Sequence, residues 1–467
     1  MPELQATYKV IDRQVGLLGG TVLLVGTVIG ISVFLLPGEL IGNAGPSIML
    51  ALAITAVPMV FSVLMLLQLG GAMPVAGGIY VYASRLIGPA WGFLIIWLVI
   101  PGIWSTLLFT SIGFAEFTRF FVDIPAPVLM AGVLILFLFL NLRGITLVAW
   151  VQLAMVTAIL VGFLIFVIPG AFQVDTSNYT PLFPEGTGPF LLAIVSLYIP
   201  FQGYSMIVEL GEELKDPIKN IPRVLLLGMG LAVVLSLALV VVFAGLDRYD
   251  VLGGFEDGGI ATASADYIAP WIGAGVAFAA VLGALTTLNA VITSYSRTIM
   301  RASRDEVLSL RLADIHPKHK VPHWSIVALS LPPILLVPVA PSAVVLSVFL
   351  ALIILFGGFI SAIALWNLPK RFPEAYEHSL YKLPMPILKL AAIGTAISSV
   401  VFWLLVVAQA LPIVAAIVLI ALLGYGYYRY RVAAYARQGI DLRKRLTQLH
   451  DHESISAGMP AGNGEVG

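Results

Sequence analysis

The sequence predicts an all-α integral membrane protein in which two of the spanning helices are interrupted near their centres. Of its 467 residues, 60% are hydrophobic and only 11% are charged, whereas an ordinary soluble domain carries about 25% charged residues. The mean hydropathy is +1.01, and the apolar stretches have the length of about 20 residues that crosses a bilayer as a helix. Two of these stretches carry glycine or proline in their middle, at 26–32 and 198–203.

Twelve apolar stretches predict twelve spans, at 17–40, 47–69, 89–115, 126–142, 146–169, 189–211, 222–246, 272–300, 323–340, 342–367, 386–410 and 411–430. Residues 1–16 precede them and have no small-residue cleavage site after a short apolar core, so we interpret them as a cytoplasmic lead-in. Residues 170–188 form an outer loop. The tail 431–467 is cytoplasmic, and the composition of its end predicts disorder.

Lysine and arginine are distributed asymmetrically between the two sets of loops. The loops that share a side with both termini hold nearly all of them, and the opposite loops hold only Arg119 and Arg248. Positive loops remain on the cytoplasmic side. The distribution therefore predicts a multi-pass protein of the cell membrane with both termini in the cytoplasm.

The first span contains the run Gly26-Thr27-Val28-Ile29-Gly30-Ile31-Ser32, and the sixth contains Tyr198-Ile199-Pro200-Phe201-Gln202-Gly203. A break in a membrane helix is tolerated only where the backbone lines protein or a water-filled cavity. Its free N–H groups favour anions and its free C=O groups favour cations. Interrupted spans in corresponding positions of two halves indicate the binding site of a transporter. The alternative for Gly26 and Gly30 is a small-residue packing face.

Composition and motifs exclude several other functions. Lysine plus arginine and aspartate plus glutamate both number 25, and cysteine is absent. The protein therefore has no net positive charge that would attract nucleic acid. The absence of cysteine excludes thiolate chemistry. His316, His319 and His323 are separated by prolines, which favours a cytoplasmic loop over a metal site. We predict no metal and no cofactor. Deep in the membrane spans there is no nucleophile with an acid or base to activate it and no pair of acid–base residues, so the chain is not predicted to be an enzyme.

Four ordered motifs carry a resemblance to a known family. They are Gly26-Thr-Val-Ile-Gly30 with Pro37-Gly38, Pro74-Val-Ala-Gly77-Gly78 with Gly88-Pro89, Phe201-Gln-Gly203 with Glu212-Glu213-Leu-Lys215-Asp-Pro217, and Thr286-Thr287-Leu-Asn289 with Ser296-Arg297. Over residues 15–430 the chain resembles the amino acid/polyamine/organocation permeases, in their amino acid permease branch.

The resemblance implies a leucine-transporter-like, five-plus-five inverted repeat with broken helices 1 and 6. The first repeat would be 17–169 and the second 189–367, with two extra C-terminal helices at 386–430. It also implies a substrate held between the broken helices, and the candidate binding residues are Gly26, Thr27, Gly30, Ile31, Ser32, Trp104, Tyr198, Phe201 and Gly203.

The chain departs from the family pattern in three places. Ile31 stands where a small residue is common, the fifth span has no lysine, and Tyr204 and Ser205 occupy the place of an acid found in some members. Without a carboxylate in the centre of the spans, a cationic side chain would be buried unpaired at high cost. We therefore predict secondary active transport of a neutral zwitterionic amino acid by alternating access. The alternatives are a polyamine or cationic amino acid carrier or exchanger, and a non-transporting sensor or a channel.

The co-transported ion stays open at this stage. An oxygen cage for Na⁺ would combine carbonyls near Gly26 with Thr286 and Thr287, although such hydroxyls commonly bond to the carbonyl four residues earlier. Glu209, the acid most deeply placed in a span, is the candidate for carrying H⁺. Its alternative is to join Glu212 and Glu213 at the end of the sixth helix. We favour proton coupling or uncoupled exchange.

Overall fold

The computed structural model describes residues 15–119, 121–198, 200–211, 213–255, 259–407, 410–437, 439 and 441–447. Within these ranges the chain is built of α-helices and short 3-10 turns and has no β-strand. The only extended pairings in them are two single bridges, Val15 with Leu214 and Ala76 with Leu210. The predicted disordered end and most of the predicted N-terminal lead-in lie outside the described residues.

The first half contains nine helices: α1 (Leu17–Val28), α2 (Ile31–Ala44), α3 (Ile48–Ala72), α4 (Gly78–Leu86), α5 (Pro89–Arg119), α6 (Ala126–Leu142), α7 (Ile145–Ala171), α8 (Thr187–Tyr198) and α9 (Met206–Glu209). A 3-10 segment, Pro200–Ser205, lies between α8 and α9.

The second half contains ten: α10 (Pro217–Leu246), α11 (Tyr249–Leu252), α12 (Ile260–Tyr267), α13 (Pro270–Arg304), α14 (His323–Leu336), α15 (Ala343–Arg371), α16 (Pro373–His378), α17 (Met385–Val407), α18 (Leu411–Ala436) and α19 (Leu442–Arg445). Several of them begin at a proline, including α10 and α13, because proline has no N–H to satisfy in the first turn.

The described part of the chain has nine helical stretches that are long and apolar enough to cross a membrane, and two shorter apolar helices at Ala126–Leu142 and His323–Val339. One of the nine, Leu17–Ala72, contains both the first and the second predicted span. The all-α membrane fold is therefore confirmed. The exact number of twelve spans, the inverted repeat and the domain limits stay predictions.

Helix α13 lies at the centre of the packing. It contacts α1, α5, α7 and α12, and its side chains are buried along nearly its whole length. By contrast, α18 is largely exposed on the outside of the bundle. The two interrupted spans lie beside α13, so the breaks are enclosed by protein rather than facing lipid, as backbone with free polar groups requires.

Candidate functional site

The first break separates α1 from α2 at two residues. Helix α1 ends at Val28, Ile29 leaves the helical region with ψ 57°, and Gly30 is extended before α2 begins at Ile31. No described side chain caps the start of α2. The Val33 N–H donates to Gly30 O (3.2 Å), whereas the N–H groups of Ile31 and Ser32 have no acceptor among the described residues and are available to a ligand. The helix dipole places partial positive charge there.

Gly30 is needed in this break because the Thr287 side chain packs closely against it, and not because of its backbone angles. Gly30 has φ −82°, which any residue adopts, so its tolerance of positive φ is not used here. A Cβ built at Gly30 would lie 2.4 Å from Oγ1 of Thr287 on α13. Any larger residue would have to displace the Thr287 hydroxyl.

The second break lies against the first. Helix α8 ends at Tyr198, and the 3-10 segment Pro200–Ser205 leads into the single turn α9. A Cβ at Gly203 would lie 2.9 Å from Cγ2 of Thr27 and 3.1 Å from its carbonyl oxygen. The two interrupted backbones therefore touch each other at one glycine.

A cavity of about 410 Å³ adjoins both breaks. Its walls come from the two interrupted spans and from α3, α5, α13 and α15, with Thr27, Ile31, Ser32, Gly203 and Thr287 among the predicted site residues. None of the described residues that line it is charged. The walls are mainly apolar side chains, with hydroxyls from serine, threonine and tyrosine placed among them.

The other predicted binding residues are not among the residues that line the cavity, and all of them except the partly buried Trp104 are buried. Gly26 packs against Gln152 and Val156 of α7. Tyr198 shares a hydrogen bond of 3.1 Å with the Ser62 hydroxyl and packs edge-on against Phe402. Phe201 is 2% exposed.

Trp104 is partly buried on α5 between lining residues, and its indole N–H has no acceptor among the described residues. Sequence reasoning missed the α15 wall, which contributes Ile354, Gly357 and Ser361. It also missed Tyr295 of α13. The only polar residues of α15 before its C-terminal turns are Ser347 and Ser361, which both line the cavity, and these two serines are the signal that could have found its cavity face.

Glu209 closes the last turn of α9 behind the cavity wall. Its carboxylate is fully buried and accepts hydrogen bonds from the Ile79 N–H (3.1 Å) and the Thr298 hydroxyl (2.6 Å). Ile79 belongs to the first turn of α4 and itself lines the cavity. The acid therefore stabilises the positive end of α4, and no basic side chain of the described residues forms an ion pair with it.

Glu213 is placed differently from Glu209. Its carboxylate forms a buried ion pair of 2.7 Å with Arg297 of α13. Glu209 lies at the end of α9, where that alternative placed it, and its carboxylate has partners separate from those of Glu213. Glu212 lies outside the described residues.

The predicted sodium cage contains a network of amides. The Thr286 hydroxyl donates to Gly26 O (2.7 Å) and also lies 2.9 Å from Gly283 O, and the Thr287 hydroxyl donates to Gly283 O (3.0 Å). Beside them is Gln152, fully buried on α7, whose Nε2 has no acceptor among the described residues. Nε2 is so close to Gly26 that a Cβ there would lie 2.3 Å from it.

Hydrogen bonds fix which end of the Gln152 amide faces the break. Asn141 donates to Phe137 O (3.0 Å), which orients its own amide, and it also donates to Oδ1 of Asn289 (3.3 Å). Asn289 then donates to Oε1 of Gln152 (2.9 Å). Since each amide has one accepting and one donating end, the donating end of Gln152 points toward Gly26.

Further buried contacts lie around α4 and just before α1. Asp305 accepts from Arg85 (2.7 Å) and from the Tyr80 hydroxyl (2.7 Å), and it also pairs with Arg301. Just before α1, the Val15 N–H donates to Glu213 O (3.0 Å). Ion pairs that lack water are costly to break, so the pairs of Asp305 tie α4 to the end of α13.

The three histidines predicted to lie in a loop come together, with ring centroids of His316 and His319 4.9 Å apart and those of His316 and His323 5.5 Å apart. Nδ1 of His316 accepts from the backbone amides of Lys318 and His319. Within the described residues, no group of three histidine, aspartate or glutamate side chains, these histidines included, is placed so that it could hold a metal ion.

Comparison with known proteins identifies the family. A family model described as amino acid permease matches residues 15–424. The chain belongs to the amino acid permease family. The resemblance carried by the four motifs is confirmed, and membership makes the chain a multi-pass membrane transporter rather than an enzyme.

The relatives of this permease differ in what their names say they carry. It is 24% identical over 336 residues to the branched-chain amino acid permease BcaP of Bacillus subtilis (strain 168), covering 68% of this chain and 72% of the relative. It is 24% identical over 412 residues to BcaP of Lactococcus lactis subsp. cremoris, covering 81% and 86%. It is also 24% identical over 336 residues to the chloroplastic cationic amino acid transporter 9 of Arabidopsis thaliana, covering 65% and 58%.

Proposed function

We propose that this protein is a secondary active carrier of neutral amino acids with apolar side chains, working by alternating access in the cell membrane with both termini in the cytoplasm. One observation carries the proposal: a cavity at two touching helix breaks has no charged residue among the described residues that line it. A guanidinium or ammonium side chain would find no carboxylate there, and an unpaired buried charge is costly.

The two ends of a zwitterion fit the two breaks. The open first turn of α2 offers N–H groups to the α-carboxylate, and Ser32 adds a hydroxyl at the same place. The second break lies opposite, where backbone carbonyls of the irregular segment suit the α-amino group. The apolar surfaces of Ile31 and of α15 then accept the side chain.

Substrate analogues test this proposal directly. We expect leucine, isoleucine and methionine to stabilise the purified protein against heat and to compete for uptake into proteoliposomes. Isopentylamine lacks the carboxylate and 4-methylpentanoate lacks the amino group, so neither should compete. Tighter binding of arginine or of a polyamine than of leucine would refute the neutral-substrate proposal, and the name of the Arabidopsis relative makes arginine the necessary comparison.

For the driving ion, we propose proton coupling through Glu209 or uncoupled exchange, and not sodium. Sodium binds oxygen ligands, as hard cations do. Two such oxygens are present, Gly26 O and the Thr286 hydroxyl, but the hydroxyl already donates to that carbonyl and the donating end of Gln152 points at the same place. An N–H group repels a cation. Uptake that requires a sodium gradient would refute this proposal.

A further inference from the structure

A second, smaller pocket lies far from the breaks, where α5 begins and α18 ends. Its volume is about 240 Å³, and it is formed by the turn 88–90, Trp91, Tyr425, Tyr428, Arg429 and Arg443. We refer to these residues as the basic pocket. It lies on the side of the membrane predicted to be cytoplasmic.

Within the described part of the chain, the two arginines of the basic pocket have hydroxyl partners. Arg429 donates to the Tyr425 hydroxyl at 3.4 Å, and the Arg443 guanidinium lies beside the Tyr428 hydroxyl. Neither forms an ion pair with a carboxylate of the described residues. Asp441 is the acid on the same segment, and its carboxylate accepts from the backbone amide of Arg443 and so caps the short helix α19.

Two guanidinium groups without carboxylates favour an anion with several oxygens. The planar fork of arginine matches phosphate oxygens through paired hydrogen bonds. The first turn of α5, a helix of 31 residues, directs its positive dipole end to the same pocket and strengthens the preference. The chemistry of the pocket is therefore that of a phosphate group.

The surroundings indicate that this phosphate belongs to a lipid. Trp91 is 43% exposed and Tyr425 49% exposed, and aromatic residues of this kind lie at the level of lipid headgroups. From the pocket, α18 runs along the bundle with leucines on its outer surface, among them Leu419 and Leu422, which are 58% and 64% exposed. Acyl chains can lie on that surface while the headgroup reaches the arginines.

We propose that the basic pocket binds the phosphate of an anionic phospholipid at the cytoplasmic face. The site is separate from the amino acid cavity, because none of its residues lines that cavity. Both arginines are exposed to the surroundings, and the site draws on the attraction of juxtamembrane basic residues for anionic lipids. The pocket places the two guanidinium groups side by side at one headgroup-sized space.

Native mass spectrometry of the full-length protein in detergent, titrated with phosphatidylglycerol or phosphatidylcholine, tests the proposal. The double variant Arg429→Gln/Arg443→Gln removes both guanidinium groups, and Arg437→Gln is the matched control, since Arg437 is exposed at the end of the same helix outside the pocket. One basic residue near an anionic membrane surface contributes about 5-fold to affinity, so we expect the double variant to bind phosphatidylglycerol about 30-fold more weakly. The control should bind as wild type does.

Additional measurements distinguish a lipid phosphate from free phosphate and detect misfolded variants. Arg429→Lys/Arg443→Lys retains the charge and should retain more binding than the glutamine pair. Inorganic phosphate in large excess should not displace the lipid, and displacement would assign the site to free phosphate instead. Equal retention of phosphatidylcholine, or unchanged phosphatidylglycerol binding in the glutamine variant, would overturn the proposal. Leucine-dependent stabilisation of each variant reports whether the carrier itself is intact.

Discussion

Gly357 on α15 sets the size of the substrate side chain in our interpretation, and Gly357→Val tests it. Gly357 lines the cavity, and a Cβ built there meets no atom within 4 Å. It lies three residues after Ile354 and four before Ser361, which also line the cavity, so all three share one helix face. Trp366, nine residues on and half a turn away, points outward and is 38% exposed.

The expected effect follows from the volume that valine would occupy. Its three side-chain carbons would fill space that the outer part of a leucine substrate needs. At about 0.8 kcal/mol for each buried CH₂, loss of three such contacts costs about 2.4 kcal/mol, which is about 60-fold in affinity. Alanine as substrate does not reach this space, and its affinity should change by less than about 3-fold on the same scale.

Competition for uptake into proteoliposomes, with leucine and alanine as competitors, measures both affinities in one assay. Gly230→Val in α10 is the matched control, because Gly230 also lies inside a long helix with no atom within 4 Å of a built Cβ but is exposed on the outside. Its helix-propensity cost is the same. Equal weakening of leucine and alanine by Gly357→Val would refute the reasoning, and so would an equal shift in the control.

Three other changes test the breaks and the coupling ion. Gly203→Leu should abolish leucine binding with insertion into the membrane retained, since its Cβ would meet Thr27 at 2.9 Å; wild-type affinity, measured by thermal stabilisation, would place the site elsewhere. Glu209→Gln should keep leucine binding but lose uptake driven by an acidic exterior, and full acid-driven uptake would eliminate Glu209 as the proton carrier. Gln152→Glu should make uptake depend on sodium, because it places a carboxylate oxygen beside Gly26 O. Wild-type uptake should be unchanged when choline replaces sodium. Sodium dependence in the wild type would contradict the proposal that the carrier does not use sodium.

The helix breaks could be predicted from the sequence because glycine and proline are the poorest helix formers, and their clustering inside a long apolar run marks where the helix is interrupted. The structure places both breaks where the runs indicated, between Val28 and Ile31 and after Tyr198. Why glycine is needed at the breaks was only partly predictable. A glycine in the sequence indicates that another segment of the protein can pack closely there, but which segment does so depends on the tertiary structure.

Side-chain direction explains why the candidate residues divided into two groups. Thr27 and Ile31 are four residues apart and both reach the cavity, whereas Gly26, one residue before Thr27 on α1, faces α7. Sequence spacing predicts which residues share a face but not which face of α1 meets the cavity. The same limit applies to Gln152, whose orientation depends on amides from two other helices and on one backbone carbonyl.

Contacts at both ends of α1 tie it to the second break. Thr27 at its far end touches Gly203 through backbone atoms, and at its near end Val15 pairs with Glu213 O and with the Lys215 N–H (2.8 Å). Close-packed backbones do not slide past each other freely, so α1 and the segment around α9 form one mechanical unit. That unit is held to α13 by the buried Arg297 pair. Moving α1 and α9 away from α13 would therefore break this pair together with the hydrogen bonds from Thr298 to Glu209 and from Thr286 to Gly26 O.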